Sequence, residues 1–118
     1  MGQSAGAKLI YGVYLADTMN EEIPEWASRN VPGDDFKWDS REALKSYGLE
    51  VYSHGYEFSD LTLGVQLQWA CDFGHETLDL EEIQVKIEEA RPRIEQLLKD
   101  WGAPEDVKPQ LLMCASFS

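Results

Sequence analysis

The sequence predicts a single α+β domain, and three observations carry that reading. Strand-like and helix-like patterns follow one another in the order β-α-β-β-α-β. One run, Leu61 to Asp72, alternates strictly between apolar and polar or small residues, as a strand with one dry face does. At 118 residues the chain is long enough to bury one core. The order of elements is that of the split-βαβ, ferredoxin-like arrangement, with two helices on one face of a four-stranded antiparallel sheet.

Each element has its own justification. Lys8 to Ala16 is rich in aromatic and branched residues and apolar on both faces, so it reads as a central strand. Residues 17–38 form an insertion too long for a structureless loop. Within it, Glu21 to Asn30 is predicted as a short helix with Ile23, Trp26 and Ala27 on one side, followed by a turn at Val31-Pro32-Gly33-Asp34-Asp35. Asp39 with Glu42 three residues on reads as a capping box, opening a helix at Asp39 or Ser40 that ends at Gly48. Leu49 to Ser53 is the second strand. In the third, Leu61, Leu63, Val65, Leu67, Trp69 and Cys71 share one face. Asp79 with Glu82 opens a long helix whose apolar stripe is Ile83, Ile87, Ala90, Ile94, Leu97 and Trp101. Pro92 removes the bond to the Glu88 carbonyl, so a kink or a break is expected there. The last strand, Gln110 to Phe117, carries no charge and is expected at a sheet edge, where it invites pairing.

Charge narrows the function. There are 22 Asp+Glu against 10 Lys+Arg, a formal net charge of −12. Direct nucleic-acid binding and a basic membrane-surface helix both need clustered cations, and neither is expected. No apolar run approaches the ~18 residues of a spanning helix, and residues 1–8 lack a signal-peptide core, so a cytoplasmic location is expected. Cys71 and Cys114 each lie in a strand-like run and read as a reduced pair. No phosphate-binding loop, dinucleotide fingerprint or H-E-x-x-H occurs, and neither catalysis nor a cofactor is expected. The rival reading is a small metal protein or thiol enzyme. It would use His54, Cys71 and His75, with Cys114 as a further ligand or Asp72 as an orienting carboxylate.

The excess charge is unevenly spread. No Lys or Arg separates Lys8 from Arg29 or Lys45 from Lys86. The candidate partner-binding residues are therefore Glu21, Glu22, Glu25, Asp34 and Asp35 in the insertion. To these the second base-free run adds Glu57, Asp60, Asp72, Glu76, Asp79, Glu81 and Glu82. Gathered on one side, they would present a row of charge to a basic channel built for phosphates, with steered association and strong salt dependence. The presumed open sheet face carries Tyr52, Gln66, Gln68 and, depending on register, Tyr14 or Tyr11, which resembles an interface core. Trp26 and Trp38 in the acidic insertion would serve either as anchors or as lids on the core. Association of identical copies through the sheet face or the last strand is the alternative.

The opening Met1-Gly2-Gln3-Ser4-Ala5-Gly6-Ala7-Lys8-Leu9-Ile10-Tyr11-Gly12, with an acidic loop and a later Gly48-Leu49-Glu50-Val51-Tyr52, resembles small acidic proteins encoded by actinobacterial phages. The resemblance is specific over about the first dozen residues and transfers no site residue. It implies an accessory phage product in a bacterial cytoplasm. There, compact acidic proteins block host nucleic-acid machinery, including CRISPR effectors and other defence complexes.

Overall fold

The computed structural model describes residues 5–18, 21–31, 33, 35–54, 60–71 and 78–117. They form four strands, β1 (Ala5–Asp17), β2 (Glu50–His54), β3 (Asp60–Cys71) and β4 (Gln110–Phe117), and three helices, α1 (Glu25–Ser28), α2 (Phe36–Lys45) and α3 (Leu80–Trp101). The strand order is β2-β3-β1-β4, and every neighbouring pair is antiparallel. The connection from β1 to β2 thus strides over β3, and that from β3 to β4 strides over β1. This is the ferredoxin-like order expected from the sequence. One core draws Tyr11, Val13 and Leu15 of β1 and Leu61, Leu63 and Leu67 of β3 against Ala27, Leu44, Ile94, Leu97 and Trp101 of the helices.

The first two helices differ from the expectation in their starts. α1 spans four residues rather than Glu21 to Asn30, with Pro24 at its N-cap position. Proline lacks the N–H and disfavours helical backbone at Ile23 before it, so the helix cannot extend toward Glu21. α2 begins at Phe36, not at Asp39 or Ser40. Asp35 is its N-cap and accepts the Trp38 N–H at 3.3 Å, while the Asp39 carboxylate reaches back to the Asp35 N–H at 3.1 Å. The earlier start places Phe36, Ser40 and Leu44 on one buried face at four-residue spacing. Gly48, at φ +70°, then turns the chain into β2 as expected.

α3 opens where the sequence places it. Asp79 accepts the N–H groups of Glu81 and Glu82 at 3.1 and 3.2 Å, but Glu82 pairs with Lys86 at 3.4 Å instead of closing the box. Pro92 does not break α3 into two, and one helix runs for 22 residues. Pro92 and Glu88 both lie on the exposed face, so the carbonyl that loses its N–H partner can be satisfied by water. The stripe is buried as read, with Ile94 and Leu97 wholly enclosed. At the C-terminus Gly102 adopts φ +74°, and Arg29 Nη2 and Asn30 Nδ2 donate to the Trp101 carbonyl at 3.0 and 3.2 Å. The chain after α1 thereby caps α3, with a cation at the negative end of its dipole.

The sheet face away from the helices is open only in part: Tyr14 and Gln66 are exposed and Tyr52 and Gln68 half-buried, as the sequence reading expects, but the middle of the face is closed. Ile10 and Thr62 on that face are fully buried, and Cys114 is nearly so. Tyr52 is half-buried, its hydroxyl accepting the Gln66 N–H at 3.0 Å, while Tyr11 points to the helices and donates nothing to this face. Gly12 lies directly opposite Gly64, and a Cβ on either would collide with a backbone carbonyl of the other strand. Two register shifts, at Leu9/Ile10 and Tyr14/Ala16, add to the bend. The sheet coils until its outer strands β2 and β4 approach each other, and the Cys114 thiol comes beside Thr62.

Candidate functional site

The structure divides the expected acidic surface between two ends of the molecule. One end is where β1 finishes and β3 begins, and Asp17 pairs there with Asp60 across the strands. Glu21 joins them, because its N–H donates to the Asp17 carbonyl at 2.6 Å and its Oε1 accepts the Asp17 N–H at 3.3 Å. Glu22 and Glu25 follow on the segment that leaves this end. Asp35 is near it as well, since α2 runs antiparallel to β2 and Lys37 Nζ, one turn in, donates to Ser53 Oγ at 2.7 Å. Asp79, Glu81 and Glu82 are elsewhere: they open α3 after the opposite end of β3. α3 runs about 33 Å from this acidic start to the C-terminus that Arg29 and Asn30 of the insertion cap, so the two groups stand apart. Asp34, Glu57, Asp72 and Glu76 lie outside the described residues.

Tyr14 stands at the centre of the first cluster. It is 44% exposed, and its hydroxyl donates to Asp60 Oδ1 at 3.1 Å. Partial burial, the Asp60 hydrogen bond and the charges of Asp60, Glu21 and Asp17 push its phenol up to about 12. Neutral phenol is favoured because phenolate would lose solvent and stand among three carboxylates. The second cluster has a different character. Leu80 is 74% exposed and flanked by exposed Leu78 and Val85, so carboxylates and large apolar side chains share one surface at the start of α3. Trp26 is half-buried against the core and acts as a lid, whereas Trp38 is 66% exposed.

The cations are grouped too, a feature that the reading of the sequence missed. Lys37, Arg41 and Lys45 recur every four residues along α2 and line a groove of about 1020 Å³ between α2 and β2. Arg41 lies over the Trp38 ring, 4.9 Å from its centroid. The four-residue spacing was visible in the sequence, but placing the helix start at Asp39 left Lys37 outside the helix.

The rival thiol and metal readings lose part of their geometry. His54 pairs with the first residue of β3, and Cys71 is its last, so twelve residues of extended chain separate them. At ~3.3 Å per residue they cannot share an ion or a reaction centre. Cys71 pairs with Gly6 on one side of β1 and Cys114 with Lys8 on the other, which places the two cysteines two strands apart. Two strand spacings come to about 10 Å, beyond the reach of a disulfide. Burial pushes the Cys114 thiol up, away from nucleophilic thiolate. The Thr62 hydroxyl beside it has no partner in hydrogen-bonding geometry among the described residues. His75 lies outside them, and among them no group of three His, Cys, Asp or Glu is arranged to hold a metal ion. No helix among them is long and apolar enough to cross a membrane.

Comparison with known protein families, with curated proteins and with solved structures finds no match in any of the three.

Proposed function

We propose that this protein is a non-catalytic binding module, a phage-encoded inhibitor of the anti-CRISPR or anti-defence type. Its carboxylates engage a basic, nucleic-acid-binding surface of a host protein in the bacterial cytoplasm. The observation that carries the reading is the convergence of Asp17, Glu21 and Asp60, from two chain segments, around Tyr14. Carboxylates held together concentrate negative potential where scattered ones would not, and such a field steers a basic partner. The insertion adds the exposed Glu22, Glu25 and Asp35, and the start of α3 offers a second acidic patch with apolar anchors.

The test is a pull-down from bacterial lysate at 50 and 500 mM NaCl with three proteins. These are the wild type, a Glu21→Lys/Asp60→Lys variant and a Glu81→Lys/Glu82→Lys variant. A basic partner retained at low salt, released at high salt and lost with the first variant supports the reading. Loss with the second variant alone moves the interface to α3. Retention of no basic protein at low salt overturns the proposal.

A further inference from the structure

A groove that shares no lining residue with the acidic surface mixes apolar side chains with cations. It holds about 760 Å³ between the second half of α3, the connection Ala103–Pro109 and the start of β4. Its floor is apolar: Tyr11 and Leu98 are buried, Val107 is half-buried, and Leu111 at the rim is 54% exposed. The opening exists because α3 covers β1 and β3 and leaves β4, the last strand of the sheet, without a helix above it.

Three of the ten cations in the chain, Arg91, Lys99 and Lys108, line this groove. None of them makes an ion pair among the described residues, although Glu95 and Glu105 are also in the lining. The lining carries three positive and two negative side chains, and Glu88, one turn before Arg91, also acts on the Arg91 charge, in a chain whose net charge is −12. Arg91 is held in place, its Nε donating to the Tyr11 hydroxyl at 3.2 Å across 80 residues of sequence. That bond leaves the two terminal nitrogens of the guanidinium available to an anion.

We infer that this groove binds a small anionic amphiphile, a carboxylate with an unbranched or aryl apolar body. The carboxylate meets Arg91 and the neighbouring lysines, and the apolar part lies on Leu98, Val107 and Leu111. The volume falls in the range of small-molecule sites, and an apolar floor with a few fixed polar groups is their usual make-up. The inference is independent of the acidic surface, which lies at another part of the molecule.

The probe is sodium decanoate, kept below its micelle concentration and titrated into ¹⁵N-labelled full-length protein. Saturable amide shifts are expected at Tyr11, Arg91 and residues 98–111, and not along α2. Decanol should bind at least tenfold more weakly, and an Arg91→Gln/Lys108→Gln variant with an unchanged circular dichroism spectrum should lose at least tenfold in affinity. Four results overturn the inference. They are no saturable shifts, equal affinity for decanol, undiminished binding by the variant, and tighter binding of an extended Glu-rich peptide at the same amides. Cosedimentation with phosphatidylglycerol vesicles without saturable decanoate binding would assign the groove to a bilayer instead and overturn it equally.

Discussion

Tyr14 shows how one side chain reports on a field that its neighbours create. Its phenol ionises near 12 in the fold against about 10 in an unfolded chain. Between those values the unfolded chain gives up a proton that the native protein keeps. Stability therefore falls as pH rises through that window, while below pH 10 the two states bind that proton alike. Tyr47 and Tyr52 are raised too, so Tyr14→Phe should lessen this slope and lower the tyrosine absorbance step at 295 nm by one residue's amplitude at its high-pH end. An unchanged titration curve would show that Tyr14 does not ionise in that window. The Asp100 carboxyl shows the opposite sign at the surface. Hydrogen bonds from the Tyr47 hydroxyl, at 2.6 Å, and Gln96 Nε2, at 2.8 Å, hold it below the usual carboxylate range.

At the scale of elements, α3 carries a proline that a helix of this length should not need. Pro92 deletes one backbone bond, and the packed stripe from Ile83 to Trp101 holds the helix together around the gap. Proline costs roughly 3 kcal/mol relative to alanine inside a helix. Pro92→Ala should therefore raise stability by about 1–3 kcal/mol, read from the urea midpoint at unchanged m-value. A gain near zero would mean that the backbone around Pro92 is already relaxed. The same helix explains why the acidic residues separate. Its N-terminus follows one end of β3, and its C-terminus is capped by Arg29 and Asn30 from the insertion.

The whole molecule is shaped by a contact between two backbones. Gly12 and Gly64 let β1 and β3 approach more closely than any side chain permits, and the sheet coils around that point. The coiling buries Ile10 and Thr62 on a face that a flat sheet would leave wet. Gly12→Ala or Gly64→Ala should lower stability by about 3 kcal/mol, the upper part of the range for overpacking. It should also open the second face, with faster amide exchange at Ile10 and Thr62 than global unfolding explains. A stable variant with unchanged exchange would show that the strands can part without cost. Charge is arranged at this scale as well: carboxylates at one sheet end and at the start of α3, cations along α2 and in the groove beside β4.

Local patterns were enough for the α+β class, the order of elements, the stripe of α3 and the Asp79 cap, because each depends on residues within a few positions of one another. The strand order β2-β3-β1-β4 is the one the ferredoxin-like reading implies, but the same succession of elements also fits other α+β topologies, and the tertiary pairing decided between them. Local patterns misplaced the start of α2, because Asp35 and Asp39 are equally good caps and only burial of Phe36 chooses between them. They gave a total charge and its uneven spread, but a base-free run in sequence was not a patch in space. Asp60 and Glu81 share that run and stand at opposite ends of the sheet, whereas Glu21 and Asp60 are 39 positions apart and belong to one cluster. Electrostatic potential depends on distance through space, and only the folded sheet and the course of α3 set those distances.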